Sequence, residues 1–257
     1  MRIKKYSNLV LFLVIAFLLP FVCVIAQTII SNEFICFILY GIQAAAPTIS
    51  AIAVVYMNGE GNTFWANMFH KKHLWRAVTL PVMIAGVTMF LAKTIFCFWA
   101  GREFTLGSLP AVQFIMIAWA LLAEEIGWRG YLDLWLRRSG VCKGRIPFIV
   151  GGIWCLWHYH YFLQRGIQVP VWLFCISCMI ESYIYSFLME DTDNNIVSAM
   201  VYHFAWNLSL HVFAINPSDN NGDISPYVIT ALIEAIVLIV YWWIRRGRSA
   251  ATVQIER

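Results

Sequence analysis

Long runs of apolar residues, separated by short polar connectors, follow one another along almost the whole chain. A helix needs roughly 20 such residues to cross the hydrocarbon core of a bilayer, whereas a transmembrane strand needs about 9–11 of alternating polarity. The runs have the helical length and lack the alternation. The predicted spans cover residues 8–26, 33–57, 77–100, 110–135, 147–163, 170–189, 196–215 and 226–244. The sequence therefore predicts an all-α fold, a polytopic membrane bundle of about eight transmembrane helices.

The composition supports a membrane protein. Hydrophobic residues make up 61% of the chain and charged residues only 12%, with a mean hydropathy of +0.70, whereas a soluble domain carries about 25% charged residues. No internal repeat or linker-like segment interrupts the runs, so we expect a single transmembrane domain over residues 1–257. Most of the basic residues behind the net charge of +4 lie beside the spans. This placement is typical of membrane topology and predicts the lipid bilayer as a partner, with no nucleic acid.

The basic residues also predict the orientation of the chain. If the N-terminus is cytoplasmic, the connectors on the opposite side of the membrane hold only Arg102 and Arg165. The cytoplasmic set comprises Arg2, Lys4, Lys5, Lys71, Lys72, Arg76, Arg137, Arg138, Lys143, Arg145, Arg245, Arg246 and Arg248. By the positive-inside rule, we expect both termini of this integral membrane protein in the cytoplasm.

The seven cysteines are scattered along the chain, and their spacing predicts no disulfide framework. Cys175 and Cys178 form a C-x-x-C pattern inside a hydrophobic span. Cysteine in such surroundings more often packs than binds a metal, so we expect both to be packing residues.

Three charged residues, Glu124, Glu125 and Arg129, lie within the apolar run that begins near Pro110. A charged side chain at the centre of a membrane span costs about 2.5 to 3.5 kcal/mol, so such residues indicate function. In an α-helix, Glu125, Arg129 and Asp133 would stack on one face at four-residue intervals. We predict that Glu125, Arg129 and Asp133 form a structural clamp. Glu124 points about 100° away from them and is left free for chemistry.

Two further spans carry polar residues at helical spacing. Trp154 and His158 lie four residues apart in one span, and His203 and Asn207 lie four apart in another. Residues at this spacing project from one face of a helix. A carboxylate and an imidazole can deprotonate water, while a second imidazole N–H and an amide NH2 can stabilise an oxyanion. Together with Glu124, these residues form a candidate hydrolytic site.

At these residues the chain resembles the CAAX protease and bacteriocin-processing family of intramembrane proteases, also called the Abi family or type II CAAX prenyl endopeptidases. The family motif E-E-x-x-x-R corresponds to residues 124–129. The motif F-x-x-x-H corresponds to Trp154–His158, with tryptophan in place of phenylalanine, and H-x-x-x-N/D corresponds to His203–Asn207. The motifs occur in the family's order within residues 110–215, the motif-bearing core.

The resemblance implies an eight-helix intramembrane endopeptidase acting on a membrane-associated substrate, either a prenylated CAAX-type protein or a leader peptide. It implies that Glu124 and His158 activate water and that His203 and Asn207 form the oxyanion hole. Trp154 would keep an aromatic wall where the family has phenylalanine. A bacterial cell membrane is the expected location of such a protein.

The family has been described as metalloproteases, and Glu124, His158 and His203 would match a catalytic zinc with one open position. Against zinc, the chain has no H-E-x-x-H motif, and Asn207 is a poor zinc ligand but a good oxyanion donor. We therefore favour catalysis without a metal or another cofactor, with zinc as the alternative.

Two other functions fit parts of the pattern. A non-catalytic bacteriocin-immunity or scaffold protein would retain the fold and bind a peptide or partner. A proton-coupled transporter would use Glu124, His158, His203 and Glu181 as a relay, although transporters usually contain inverted repeats, which we do not find.

Three more polar residues in the spans leave alternatives open. Lys93 is the candidate partner of Glu124 if that carboxylate is structural. Glu181 is either a group of the substrate cavity or a protonated, hydrogen-bonded carboxyl, and the second is favoured. His211 is either an interfacial residue or part of the same cavity.

Overall fold

The computed structural model describes the backbone of residues 2–69 and 71–255 and the side chains of residues 6–69 and 71–247. The α-helices are α1 (Arg2–Ile29), α2 (Glu33–Ala44), α3 (Ala46–Met57), α4 (Gly61–Met68), α5 (Leu74–Ala100), α6 (Ala111–Ala123), α7 (Leu134–Arg138), α8 (Ile146–Trp157), α9 (Tyr159–Leu163), α10 (Val171–Glu190), α11 (Ile196–Val212) and α12 (Ser225–Ile255). A π-helix, Ile126–Asp133, lies between α6 and α7, and short 3₁₀ helices cover Lys143–Arg145 and Pro217–Asn220. The side chains of Arg2, Lys4, Lys5 and Arg248, which enter the predicted topology, lie outside the described residues.

Helices of membrane-spanning length dominate the described part of the chain. Six continuous segments are long and apolar enough to cross a bilayer, and α2 with α3 forms a seventh that is bent by 61°. The six are Tyr6–Ile29, Leu74–Ala100, Ala111–Arg138, Val171–Glu190, Ile196–Asn220 and Ser225–Gly247. Large apolar side chains such as Phe90, Ile95 and Ile239 point outward, as lipid surroundings allow. The helical membrane bundle is confirmed.

Two of the predicted spans are interrupted. Residues 33–57 form α2 and α3 with a bend between them, where Pro47 near the start of α3 has no N–H to continue the hydrogen-bond ladder. Residues 147–163 form α8 and the five-residue α9, which meet at His158. This second segment has no continuous helix of membrane-spanning length, so the described residues contain six or seven such spans rather than the predicted eight or so.

The π-helix follows α6 directly after Glu124 and Glu125 and contains two glycines at close approaches. A Cβ on Gly127 would lie 2.5 Å from the backbone of Pro47 in α3. A Cβ on Gly130 would lie 2.4 Å from Sδ of Met68 in α4. Only glycine fits against the backbone of Pro47, so Gly127 allows α3 to pack closely on the segment that carries the charged motif, whereas the flexible side chain of Met68 could move away from a Cβ at position 130.

The helices share one aromatic-rich core. Trp128 of the π-helix packs edge-on against Phe12 of α1 and Trp157 of α8, with ring centroids 5.8 and 5.7 Å apart. A disulfide joins Cys155 of α8 to Cys175 of α10. The sequence predicted no disulfide framework and assigned Cys175 to packing, and this bond corrects the assignment of Cys175. The spacing of cysteines in the sequence does not reveal that α8 and α10 are packed neighbours.

Candidate functional site

One cavity of about 610 Å³ receives side chains from all three sequence motifs. Glu124, His158, His203 and Asn207 all line it. The first three are buried, with 5%, 8% and 6% of their surface exposed, and Asn207 is half-buried. Residues that belong to three separate segments of the chain therefore share one space inside the helical bundle.

Glu124 lies at the point where α6 gives way to the π-helix. Its Oε2 accepts a hydrogen bond of 2.8 Å from the indole Nε1 of Trp154, and its Oε1 lies 4.0 Å from Nε2 of His203. An indole N–H can only donate, so Trp154 orients the carboxylate without taking up a proton. The alternative ion pair between Glu124 and Lys93 is not among the described contacts, which instead join Glu124 to Trp154 and His203.

Glu125 is fully buried, and one of its carboxylate oxygens accepts hydrogen bonds from two other residues. Its Oε1 accepts hydrogen bonds from Nδ1 of His203 at 2.7 Å and from Nη1 of Arg129 at 3.0 Å. Because a carboxylate oxygen accepts, Nδ1 of His203 carries a proton and Nε2 faces Glu124. Glu125 thus fixes the orientation of the imidazole, as a carboxylate does for histidine in many hydrolases.

Arg129 is held by aromatic rings as well as by Glu125. Its guanidinium carbon lies 3.7 Å from the ring centroid of Tyr185 and 4.5 Å from that of Trp154. Cation–π contacts of this kind are strongest where water is excluded, and Arg129 is only 4% exposed. The predicted contact between Arg129 and Glu125 is present.

Asp133 does not complete the predicted clamp. Its carboxylate pairs with Arg137, which also lies 3.6 Å from Glu190. In a π-helix the hydrogen bonds run from i to i+5, so each turn holds more residues than in an α-helix and residues four apart no longer stack. The predicted contact between Asp133 and Arg129 is not among the described contacts, and Asp133 belongs to an ion network at one end of the bundle. Its supporting role at the site stays a prediction.

His158 occupies the junction between α8 and α9. Its Nδ1 lies 2.7 Å from the carbonyl oxygen of Trp154. A carbonyl oxygen can only accept, so Nδ1 is the protonated nitrogen and the neutral ring keeps its lone pair on Nε2. The ring is enclosed by aromatic residues, among them Phe174 at a centroid distance of 4.8 Å. His158 can therefore accept a proton at Nε2 within apolar walls.

Polar residues outside the motifs also line the cavity. Glu181 of α10 is one of them, which favours a cavity role over a purely structural carboxyl. His211 is another, and its Nδ1 lies 2.7 Å from Nε2 of Gln113. The sequence signal for Glu181 was a carboxylate in an apolar span, but its neighbours could not be identified because α10 carries no motif.

The arrangement does not fit a zinc ion. Zinc requires its protein ligands at about 2.0–2.3 Å from a single point. Within the part of the chain that the structure describes, no three His, Cys, Asp or Glu side chains are grouped in this way. No step of the proposed reaction is therefore assigned to a metal.

The fold and the site together define a class of protein. One cavity inside a bundle of membrane-spanning helices is lined by a buried carboxylate, two imidazoles and a carboxamide. In each imidazole, Nδ1 carries a proton. This is a polytopic helical membrane protein with a glutamate and histidine site within the bundle.

Comparison with known proteins supports the resemblance that the motifs indicated. Residues 106–209, which include all three motifs, match the family of type II CAAX prenyl endopeptidase Rce1-like proteins. The chain is also 26% identical over 175 residues to CAAX prenyl protease 2 of Methanococcus maripaludis, an alignment covering 64% of this chain and 62% of the relative. The chain thus spans less than two thirds of that relative. The motif-bearing part matches the model of the Rce1-like family, and the resemblance predicted from the motifs is confirmed.

Proposed function

We propose that this protein is an intramembrane endopeptidase of the CAAX prenyl protease type, which hydrolyses a peptide bond of a membrane-associated substrate. One observation carries the proposal: the buried carboxylate of Glu124, held by Trp154, faces His203 in a cavity that also receives His158 and Asn207. The family match and the relative named CAAX prenyl protease 2 support the same class of reaction.

Glu124 and His158 are the groups that activate water in this proposal. The free oxygen of Glu124 and Nε2 of His158 can both accept a hydrogen bond from a water in the cavity. Transfer of a proton from the water to Glu124 lets its oxygen attack the carbonyl carbon of the substrate. When the carbon–nitrogen bond breaks, the same proton passes to the leaving amine.

His203 and Asn207 stabilise the oxyanion that forms during this attack. Because Nδ1 of His203 donates to Glu125, donation from Nε2 as well requires the imidazolium form of the ring. Glu124 and Glu125 flank the ring and balance that positive charge. Asn207 lies one helical turn further along α11 and supplies an amide NH2.

The cavity walls suit an apolar peptide. Aromatic side chains line it, among them Trp119, Phe174 and Trp206. Binding sites for apolar ligands combine such walls with a few polar groups that set the orientation. A prenylated CAAX-type protein or a hydrophobic leader peptide are the substrates that we propose.

The test compares wild-type protein with Glu124→Gln, which keeps the shape of the side chain but removes the base. Both are purified in detergent and incubated with prenylated and unprenylated membrane peptides, with and without a strong chelator, and products are identified by mass spectrometry. We expect the wild type to cleave at least one peptide, with or without chelator, and Glu124→Gln to bind it without cleavage.

Three results would contradict the proposal or part of it. Equal product from both proteins would remove Glu124 from the mechanism. No cleavage of any peptide by the wild type would favour a scaffold or transporter. Loss of activity with chelator, restored by stoichiometric zinc, would show that the reaction uses a metal.

A further inference from the structure

Glu181 is a second carboxyl group in the cavity, and the proposed reaction leaves it unused. It lies on α10, is 6% exposed and lines the cavity together with Glu124. Among the described residues, no hydrogen bond or ion pair reaches its carboxyl, although His203 and Arg129 are close enough to act on its charge. A buried carboxyl without such a partner costs free energy. In a cavity water can serve as the partner, and a ligand that displaces the water must offer a hydrogen-bond donor.

The neighbouring carboxyl of Glu234 differs in this respect. Glu234 of α12 is 1% exposed, accepts a hydrogen bond of 3.4 Å from the hydroxyl of Tyr202 and is not one of the residues that line the cavity. The charges of Glu181 and Glu234 act on each other. Two carboxyls of the same region therefore differ in access, since Glu181 faces the cavity and Glu234 lies behind its wall.

Glu181 shares one face of α10 with a residue that contacts a proposed catalytic group. Phe174, Cys178 and Glu181 line the cavity at successive spacings of four and three residues, as residues on one helical face do. The ring of Phe174 packs against that of His158 at a centroid distance of 4.8 Å. The α10 wall of the cavity thus runs from the ring beside His158 to the carboxyl of Glu181.

Glu181 also lies at the depth of the proposed oxyanion donors. Helices α10 and α11 pack on each other and are joined by the short connector at 191–195, which makes them antiparallel neighbours. At a rise of 1.5 Å per residue, Glu181 lies about 14 Å from the end of α10 at this connector. His203 and Asn207 lie about 10 and 16 Å from the start of α11 at the same connector. The carboxyl of Glu181 is therefore level with this pair.

The substrate backbone must pass at this depth, because the proposed reaction takes place at a backbone carbonyl. A carboxyl oxygen accepts hydrogen bonds, and the donor that each backbone unit other than proline offers is its N–H. We infer that Glu181 accepts a hydrogen bond from a backbone N–H of the bound substrate, close to the bond that is cleaved. This inference rests on the proposed function and adds to it a substrate-binding residue that fixes which peptide bond lies beside Glu124.

A series of ester-substituted peptides tests this hydrogen bond. In each peptide, one backbone N–H near the scissile bond is replaced by an ester oxygen, which removes a donor with little change of shape, while the scissile amide is kept. Wild type, Glu181→Leu, Glu181→Gln and the control Glu234→Gln are purified in detergent. The value of kcat/KM is measured for each peptide, and mass spectrometry verifies that the same bond is cleaved.

We expect one ester position to lower kcat/KM of the wild type by about tenfold or more, as the loss of a hydrogen bond to a charged group does. Glu181→Leu has no acceptor, so the same ester should change its kcat/KM by less than about twofold. Glu181→Gln keeps an acceptor oxygen and should keep most of the ester effect. Glu234→Gln removes a nearby carboxyl outside the cavity and should show the full effect.

Three patterns would overturn the inference. Equal ester effects in the wild type and Glu181→Leu at every position would show that Glu181 accepts no backbone N–H. An effect of Glu181→Leu that appears only with peptides containing lysine or arginine would identify a side chain as the donor. Equal losses of kcat in Glu181→Gln and Glu181→Leu, with no ester position standing out, would mean that Glu181 acts through its charge on His203.

Stability and binding keep the test decisive. Glu181→Leu removes a buried polar group that has no hydrogen-bond partner in the described structure, so its unfolding midpoint should equal or exceed that of the wild type. Glu181→Met replaces it if Glu181→Leu does not fold. If the wild type cleaves no peptide, the proposed function fails, and the affinities of the amide and ester peptides for the wild type and Glu181→Leu then decide the inference. A wild type that binds none of the peptides would overturn both.

Discussion

Trp154 has a contact that the phenylalanine of the family motif could not make. Its indole N–H donates to Glu124, 30 residues earlier in the chain, and its ring packs edge-on against His158 and His203 at centroid distances of 5.3 and 6.0 Å. The sequence indicated only an aromatic wall at this position. The hydrogen bond depends on how α8 packs against the end of α6, which the spacing within one helix does not determine.

Replacing Trp154 with phenylalanine should therefore slow the reaction while leaving the fold intact. The variant keeps an aromatic ring but removes a hydrogen bond to a charged group worth about 1.5–3 kcal/mol. If that bond orients the base in the transition state, kcat should fall by about tenfold or more with little change in KM. Steady-state kinetics with a cleavable peptide measure both values.

A matched control comes from another tryptophan of the cavity wall. The indole of Trp119 donates to the carbonyl oxygen of Gly41 at 2.9 Å and is not in contact with Glu124. Trp119→Phe loses a hydrogen bond of similar length, so kcat should change much less. Equal losses of kcat in the two variants would mean that Trp154 only fills space.

Asn207 should be needed for the rate rather than for folding. It is half-buried on the cavity wall, and Asn207→Ala removes one proposed oxyanion donor. By analogy with other oxyanion holes, we expect the rate to fall on the order of 10²–10³. Asn216→Ala, in the connector after α11, is the control and should have a small effect. A fall of less than about fivefold in the Asn207 variant would exclude it as a principal oxyanion donor.

Arg129 should matter first for stability. It pairs with Glu125 and lies over two aromatic rings, so Arg129→Ala leaves a buried carboxylate without its cation. Breaking a buried pair in this way costs about 3–5 kcal/mol. We expect a much lower unfolding midpoint in detergent, and a smaller decrease for Arg129→Lys, which keeps the charge. A fully stable but inactive Arg129→Ala would place Arg129 among the catalytic groups.

At the scale of helices, spacing rules hold where the helix is regular. His203 and Asn207 lie on the continuous α11 and line one cavity, as an α-helical period predicts. Asp133 lies in the π-helix, which holds more residues in each turn than an α-helix does. The contact with Arg129 that α-helical spacing predicted for Asp133 is therefore not found. The π-helix packs against α3 and α4. The spacing of residues within its own segment of the sequence therefore could not reveal it.

Gly127 makes this element testable. Its Cβ position lies 2.5 Å from the backbone of Pro47, so Gly127→Ala should push α3 away from the π-helix and destabilise the fold by about 1–3 kcal/mol. Because Glu124 and Glu125 immediately precede this turn, the cleavage rate should fall as well. Thermal unfolding and peptide cleavage in detergent measure the two effects.

The control is a glycine in an unobstructed helical position. A Cβ on Gly86 of α5 meets nothing within 4 Å, so Gly86→Ala should be neutral or stabilising by up to about 1 kcal/mol. If both substitutions are tolerated equally, the close approach at Gly127 is not required for the site.

At the scale of the whole molecule, the bilayer makes the fold class predictable. A chain with 61% hydrophobic residues in helix-length runs has few alternatives to a helical bundle. The breaks after Ala44 and at His158, and the change from α-helix to π-helix after Glu124, were not predictable from the sequence. Glu124 and His158 lie at two of these three points and line the cavity, so the least predictable backbone lies where the proposed chemistry occurs.

The end of the bundle where Arg76, Asp191 and Arg245 meet, in contrast, is held together by ion pairs that lie away from the cavity. Asp191 accepts hydrogen bonds of 2.9 Å from both Arg76 of α5 and Tyr241 of α12, and it follows the last residue of α10. Asp191→Asn removes the charge that joins these three helices, and hydrogen bonds to a charged group are worth about 1.5–3 kcal/mol. We expect a lower unfolding midpoint in detergent and an unchanged cleavage rate below that midpoint, because Asp191 does not line the cavity. Asp219→Asn, an exposed change in the 3₁₀ helix after α11, should leave the midpoint unaltered. An Asp191→Asn variant that is as stable as the wild type would show that the charge of Asp191 is not needed to hold these helices together.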